Sequence, residues 1–183
     1  MKKLLLFLLI LPWNLFGYSD ISTEIGHVSI TTPYNDKFNL LEVGIGSTVA
    51  FGETIFLGVT GSYRAISRII KTDSSVSLYK SQKSVSLLPV VGVAFWGYVL
   101  KVSVVRYGYT FLKQTKDAST AKSTDPSGYS FTFLGKIFDN IYLGANYTNT
   151  TFSKIYFQNK PTNQDVKNSS RMVVSSLVIA YRF

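Results

Sequence analysis

From residue 21 to the C-terminus, apolar and polar side chains alternate in eight runs: about Ile21 to Thr31, Asn39 to Phe51, Ile55 to Ile69, Ser84 to Phe95, Tyr98 to Leu112, Gly128 to Ile137, Ile141 to Thr151 and Ser169 to Phe183. A period of two sends successive side chains to opposite faces, so each run predicts a β-strand. In the second run Leu41, Val43, Ile45, Val49 and Phe51 share one face, and Glu42, Gly44, Gly46, Thr48 and Ala50 share the other. The third sets Ile55, Leu57, Val59 and Tyr63 against Gly58, Thr60, Ser62 and Arg64, and the last sets Val173, Leu177, Ile179, Tyr181 and Phe183 against Ser176, Ala180 and Arg182. A bulky apolar face backed by a small or polar one suits a strand whose outer side meets lipid. Every run reaches the roughly 9 to 11 residues that a tilted strand needs to cross a membrane. The pattern predicts an all-β fold: an eight-stranded antiparallel up-and-down transmembrane β-barrel.

The ends of the runs orient it. Phe51, Phe95, Phe138 and Phe183 recur at near-constant spacing, and each of the first three precedes a tight-turn sequence, Gly52-Glu53, Trp96-Gly97 or Asp139-Asn140. Short turns and the C-terminus therefore fall on one side. The segments Thr32 to Phe38, Ile70 to Lys83, Lys113 to Ser127 and Phe152 to Asn168 are longer and polar, and are expected as loops on the other side. Pairing Phe51 with Ile55 would place Glu42 opposite Arg64 inside the barrel, where an ion pair is expected. In the fifth run Tyr98, Leu100, Val102 and Val104 share a face, but Val105, Tyr107, Tyr109 and Phe111 continue in the opposite phase, so a β-bulge is expected near Val104-Val105.

Ahead of the strands, Lys2 and Lys3 precede the apolar stretch Leu4 to Leu11, and Gly17-Tyr18-Ser19 offers a small-x-small cleavage site. Residues 1–19 read as a secretory signal peptide and 20–183 as the barrel domain. Removing the leader lowers the formal charge from +9 to +7, because Lys2 and Lys3 leave with it. With no cysteine there is neither a disulfide framework nor a thiol for a lipid anchor. Export, abundant Tyr and Phe, and the absence of a long apolar run in the later sequence point to the bacterial outer membrane.

The whole stretch after the leader resembles the small outer-membrane β-barrel proteins of the OmpX and OmpA membrane-domain type. The resemblance rests on the strand pattern, the Phe periodicity and the Tyr181-Arg182-Phe183 ending. It implies that Tyr181 and Phe183 form the signal read by the barrel-assembly machinery, and that the partners are outer-membrane lipid and lipopolysaccharide. Barrels of this shape include adhesins, structural barrels, narrow channels and lipid-modifying enzymes, so function must come from particular residues.

Glu24, Glu42, Arg64, Lys101, Arg106, Lys136 and Arg182 are the candidate lumenal charges. They form either a narrow pore favouring anions or a polar plug, since eight strands enclose little more than their own side chains. Arg68, Lys71, Lys80 and Lys83, with Lys154, Lys160 and Lys167, outnumber Asp73 and Asp165 in the loop regions. Such charge suits a surface glycan, an acidic protein ligand or lipid phosphates. Nucleic acid is not expected as a partner, and no cofactor or metal is expected with one histidine and no cysteine. A set of His27, Ser29 and Glu42 carries the residue types for acyl transfer and resembles the motif of the lipid A deacylase barrels. His27 with Asp73 and Ser74 resembles the palmitoyltransferase barrels. The leading expectation is a structural or surface-interaction role through the loops, with a narrow solute channel or a lipid A-modifying enzyme as alternatives.

Overall fold

The computed structural model describes residues 17–31, 37–72, 79–114, 120–157 and 170–183. Its strands are β1 (Tyr18–Thr31), β2 (Lys37–Phe51), β3 (Ile55–Thr72), β4 (Tyr79–Phe95), β5 (Tyr98–Val105), β6 (Tyr107–Gln114), β7 (Thr120–Phe138), β8 (Ile141–Phe157) and β9 (Ser170–Arg182). β5 and β6 are two halves of one crossing, both lying between β4 and β7, so eight strands cross. Each pairs antiparallel with its neighbours in sequence, and β1 pairs with β9 to close the barrel. Closure leaves none of the described strands at an unpaired edge, as backbone groups surrounded by lipid require.

Polarity is inverted relative to a soluble protein. Val43, Ile45, Leu57, Val102, Phe133, Leu177 and Ile179 are exposed outside, whereas Asp20, Glu42, Thr48, Lys101, Asn146 and Thr148 are buried inside. Only a lipid solvent makes that arrangement favourable. Aromatic rings mark the short-turn end: Phe51, Phe95, Trp96, Tyr98, Phe138, Tyr181 and Phe183 all face outward and are exposed. At the Trp96-Gly97 turn both residues have positive φ, 45° and 82°, the backbone that joins two right-twisted strands most tightly.

Two details depart from the sequence expectation and a third, the β-bulge, agrees with it. The strands run further into the loop side than the hydrophobic alternation does, β3 to Thr72, β4 from Tyr79 and β7 from Thr120. Much of the expected loops at Ile70 to Lys83 and Lys113 to Ser127 is therefore paired strand; their remaining centres, at 73–78 and 115–119, lie outside the described residues. Phe51 pairs with Leu57 rather than Ile55, because Gly52 to Thr54 and the first two residues of β3 form a wider turn. Parity survives this two-residue change, but partners do not. The bulge is present, with Val104, Val105 and Arg106 spanning the distance that Leu88 and Pro89 cover on β4. Pro89 has no N–H to donate, which favours an interrupted ladder at this point.

Candidate functional site

The lumen is built in two layers. At the short-turn end Tyr18, Ala50, Phe56, Val90, Val99, Leu134, Tyr142, Val178 and Ala180 form a buried apolar floor. The rings of Tyr18 and Phe56 stack with centroids 4.0 Å apart and planes within 6°. Phe56 has room because residue 92 is glycine: a Cβ there would stand 2.1 Å from the Phe56 ring. The Tyr18 hydroxyl donates to Asp20 Oδ2, and the Arg182 guanidinium lies 4.9 Å from the Tyr18 ring centroid.

Above the floor the layer is polar. Glu24, Gly44 and Arg64 fall in one row across β1, β2 and β3. Since Gly44 projects no side chain, Arg64 reaches over it to Glu24, with Nη2 to Oε2 at 3.1 Å; a Cβ on Gly44 would lie 2.8 Å from Arg64 Cγ. Glu24 Oε2 also accepts from Ser176 Oγ at 3.0 Å. Lys101 Nζ donates to Asp20 Oδ2 at 2.8 Å and to Thr48 Oγ1 at 3.0 Å. Across the barrel Ser130 bonds Asn146 and Thr148, each at 2.8 Å. The cavity left among these groups measures about 30 Å³, space for a water or two and not for a hydrated ion.

The expected Glu42–Arg64 pair is thus replaced by Glu24–Arg64. The wider turn slides Arg64 opposite Gly44 and sets Glu42 opposite Ile66. Glu42 is buried, and neither of its carboxylate oxygens has a hydrogen-bond partner. Lys101 is buried in the lumen and Arg182 lies over the Tyr18 ring, whereas Arg106 and Lys136 are exposed. The β5 alternation runs unbroken through Val105, which is buried, so Arg106 keeps the outward phase. Lys136 sits at the turn end beside a register shift between Lys136 and Phe138. Two lumenal residues escaped the sequence reading, Tyr18 and Asp20; they continue the inward phase of Ser22 and Glu24, but the leader assigned to 1–19 concealed Tyr18 and the first run was started at Ile21, past Asp20.

Among the residues whose side chains are described, the inward cations are Arg64, Lys101 and Arg182, and the inward acids are Asp20, Glu24 and Glu42. Arg64 and Lys101 both have carboxylate partners, so these six residues leave no cationic excess of the kind that a pore favouring anions needs. The acyl-transfer set is not assembled either. His27 and Ser29 lie on the outward phase of β1, opposite Ser175 and Val173, while Glu42 points into the lumen. Asp73 and Ser74 lie outside the described residues. Among the described residues no three His, Cys, Asp or Glu side chains are placed to hold a metal ion.

The charge is concentrated elsewhere. Lys37, Arg68, Lys71, Lys80, Lys83, Arg106, Lys113, Lys122, Lys154 and Arg171 all belong to the loop-side reaches of the strands or to the bulge. Lys116, Lys160 and Lys167 fall in the connecting segments outside the described residues. Asp125 lies in the same reach of β7, and Asp36, Asp73, Asp117 and Asp165 fall in the connecting segments outside the described residues. Against them stand only Glu53, Lys136 and Asp139 at the turn end.

Inverted polarity, closure and strand length define a transmembrane β-barrel of eight strands, and its fold is that of bacterial outer-membrane barrels. The chain is similar to Neisserial surface protein A, with a TM-score of 0.64 at 10% identity over 90% of this chain and 97% of that one. It is similar to Ail, the attachment invasion locus protein of Yersinia pestis, in complex with the heparin analogue sucrose octasulfate, with a TM-score of 0.61 at 16% identity over 92% of this chain and 99% of that one. For the outer membrane protein OprG from Pseudomonas aeruginosa the TM-score is 0.50 at 8% identity, over 92% and 97% of the two chains. No protein-family model matches, and no curated protein is similar in sequence.

Proposed function

We propose that the protein is an outer-membrane surface-binding barrel whose loop end holds polyanionic ligands, sulfated or phosphorylated glycans in particular. The observation that carries this reading is the distribution of charge. Lumenal cations and acids balance among the residues whose side chains are described, whereas twelve Lys and Arg stand against five Asp in the loop-side reaches and connecting segments. An exposed field of one sign concentrates ligands of the other and speeds their capture. Ail, a neighbour in fold, was crystallised with a sulfated heparin analogue, which fits the same ligand chemistry. The closed floor and the paired lumenal charges argue against conduction, and the separation of Glu42 from His27 and Ser29 argues against acyl transfer. Outer-membrane lipid and lipopolysaccharide would surround the apolar belt, and the exposed Tyr181 and Phe183 would be read by the assembly machinery.

The test is retention of the refolded protein, held in lipid nanodiscs, on immobilised heparin at low salt, with neutral dextran as the control. Retention on heparin alone is expected, and the Lys80→Glu/Lys83→Glu variant should elute with the unbound fraction. Equal behaviour on heparin and dextran would overturn the reading. In a planar bilayer the same protein is expected to give no stable current steps.

A further inference from the structure

Two residues that the small-x-small spacing assigns to the leader are built into the barrel wall. Tyr18 pairs with Ala50 and Ser19 with Val49, extending the β1 ladder beyond Asp20. Tyr18 is 1% exposed, stacks on Phe56 and donates its hydroxyl to Asp20. The Ser19 carbonyl accepts the amide of Phe183 at 3.1 Å, so the last residue of the chain is tied to the β1–β9 seam through Ser19. We propose that the leader is cut between Gly17 and Tyr18, making Tyr18 the first residue of the mature protein and its ring part of the lumen floor. The inference rests on export with leader removal and is independent of the ligand proposed above.

The inward alternation of β1 is the first support. Tyr18, Asp20, Ser22 and Glu24 follow one phase, so the lumenal face begins at residue 18 rather than 20. Packing is the second. A cut before Asp20 would strip the ring from the stacked face of Phe56 and open the floor at its two largest buried side chains. Truncating a buried aromatic costs about 3–5 kcal/mol in ordinary cores. Charge is the third. That same cut would put a new ammonium on Asp20, whose carboxylate already holds Lys101 Nζ at 2.8 Å and lies opposite Arg182 in the seam. A cut before Tyr18 instead leaves the ammonium at the rim, where the neighbouring turn carries the exposed Glu53.

Gly17 provides the small residue immediately before the cut, with the apolar Leu15 in place of the second small residue two positions earlier. In the reaction water adds to the Gly17 carbonyl and the Gly17–Tyr18 amide bond breaks. The carboxylate remains on the leader and the ammonium on Tyr18.

The experiment is expression of the full-length precursor in a bacterium with an outer membrane, extraction of that membrane, and intact-mass measurement with N-terminal sequencing of the purified chain. A start at Tyr18 is expected. A start at Asp20 or any other residue, or an uncut precursor, would overturn the proposal. Ser19→Phe supplies a second readout on gels of the pulse-labelled precursor, before folding matters. A bulky residue just before the cut blocks processing, so this variant should mature like the wild type if the cut precedes Tyr18, and remain a precursor if the cut follows Ser19.

Discussion

The lumen and the loop end of this barrel use charge in opposite ways. Inside, each charged group of the two ion pairs is buried or nearly so and held by a partner on another strand: Glu24 on β1 with Arg64 on β3, and Asp20 on β1 with Lys101 on β5. At the loop end cations greatly outnumber acids and lie in or beside paired strands that extend beyond the apolar belt. Neutralised, interlocked charge fixes a structure, while surplus charge of one sign remains available to a ligand. Stability and binding should therefore respond to different substitutions.

The largest effect is expected from breaking a lumenal pair on one side only. Arg64→Ala leaves Glu24 buried beside Ser176 without its cation, and removing one partner of a buried pair costs about 3–5 kcal/mol. Urea unfolding of the refolded barrel in lipid vesicles, followed by tryptophan fluorescence, would measure it; a loss under about 1 kcal/mol would mean that the pair does not hold the barrel. Conductance should stay silent in this variant, because the Tyr18–Phe56 floor lies below the pair and is untouched.

Next come two changes of opposite sign inside the same lumen. Gly92→Ala introduces a Cβ 2.1 Å from the Phe56 ring and 2.8 Å from the Leu100 carbonyl, and overpacking of this kind costs about 1–3 kcal/mol. Glu42→Leu removes a buried carboxylate whose oxygens have no hydrogen-bond partner, and should raise stability by about 1–3 kcal/mol. Glu24→Leu, a chemically identical change one strand away, should lower it, because Arg64 would lose its acid. If the two Glu→Leu variants shifted the urea midpoint in the same direction, the partner assignment in the lumen would be wrong.

That contrast also marks what the sequence could disclose. Strand number, strand faces and the tight turns were legible, because a two-residue period sustained over some ten residues survives boundary errors. The identity of Arg64's partner was not. Parity says that Glu24, Glu42 and Arg64 all face inward, but only the width of the turn at Gly52 to Thr54 decides which acid stands in the Arg64 row. Arg106 was misassigned because the bulge lies one residue later than the apolar pattern suggests, and Lys136 because a register shift next to a turn ends the alternation. The loop-side extensions of β3, β4 and β7 were hidden for another reason. Beyond the lipid, hairpin pairing continues on polar residues that carry no hydrophobic period.

At the loop end the expected stability effects nearly vanish. Lys80→Glu/Lys83→Glu should shift the unfolding midpoint by no more than about 0.5 kcal/mol, as surface substitutions generally do, while abolishing heparin retention. Salt sharpens the comparison without any mutation. Exposed charges are screened over about 10 Å at 0.1 M salt and over about 3 Å at 1 M, but buried pairs are screened far less. Raising salt from 0.1 to 1 M should therefore release the wild-type protein from heparin, and the part of its stability that comes from the Glu24–Arg64 and Asp20–Lys101 pairs should persist. The readout is the free-energy difference between wild type and Arg64→Ala at each salt concentration, which removes the general effect of salt on urea unfolding. A difference that collapsed in parallel with ligand release would mean that solvent ions reach the lumen, and the distinction between a sealed interior and an open charged surface would fail.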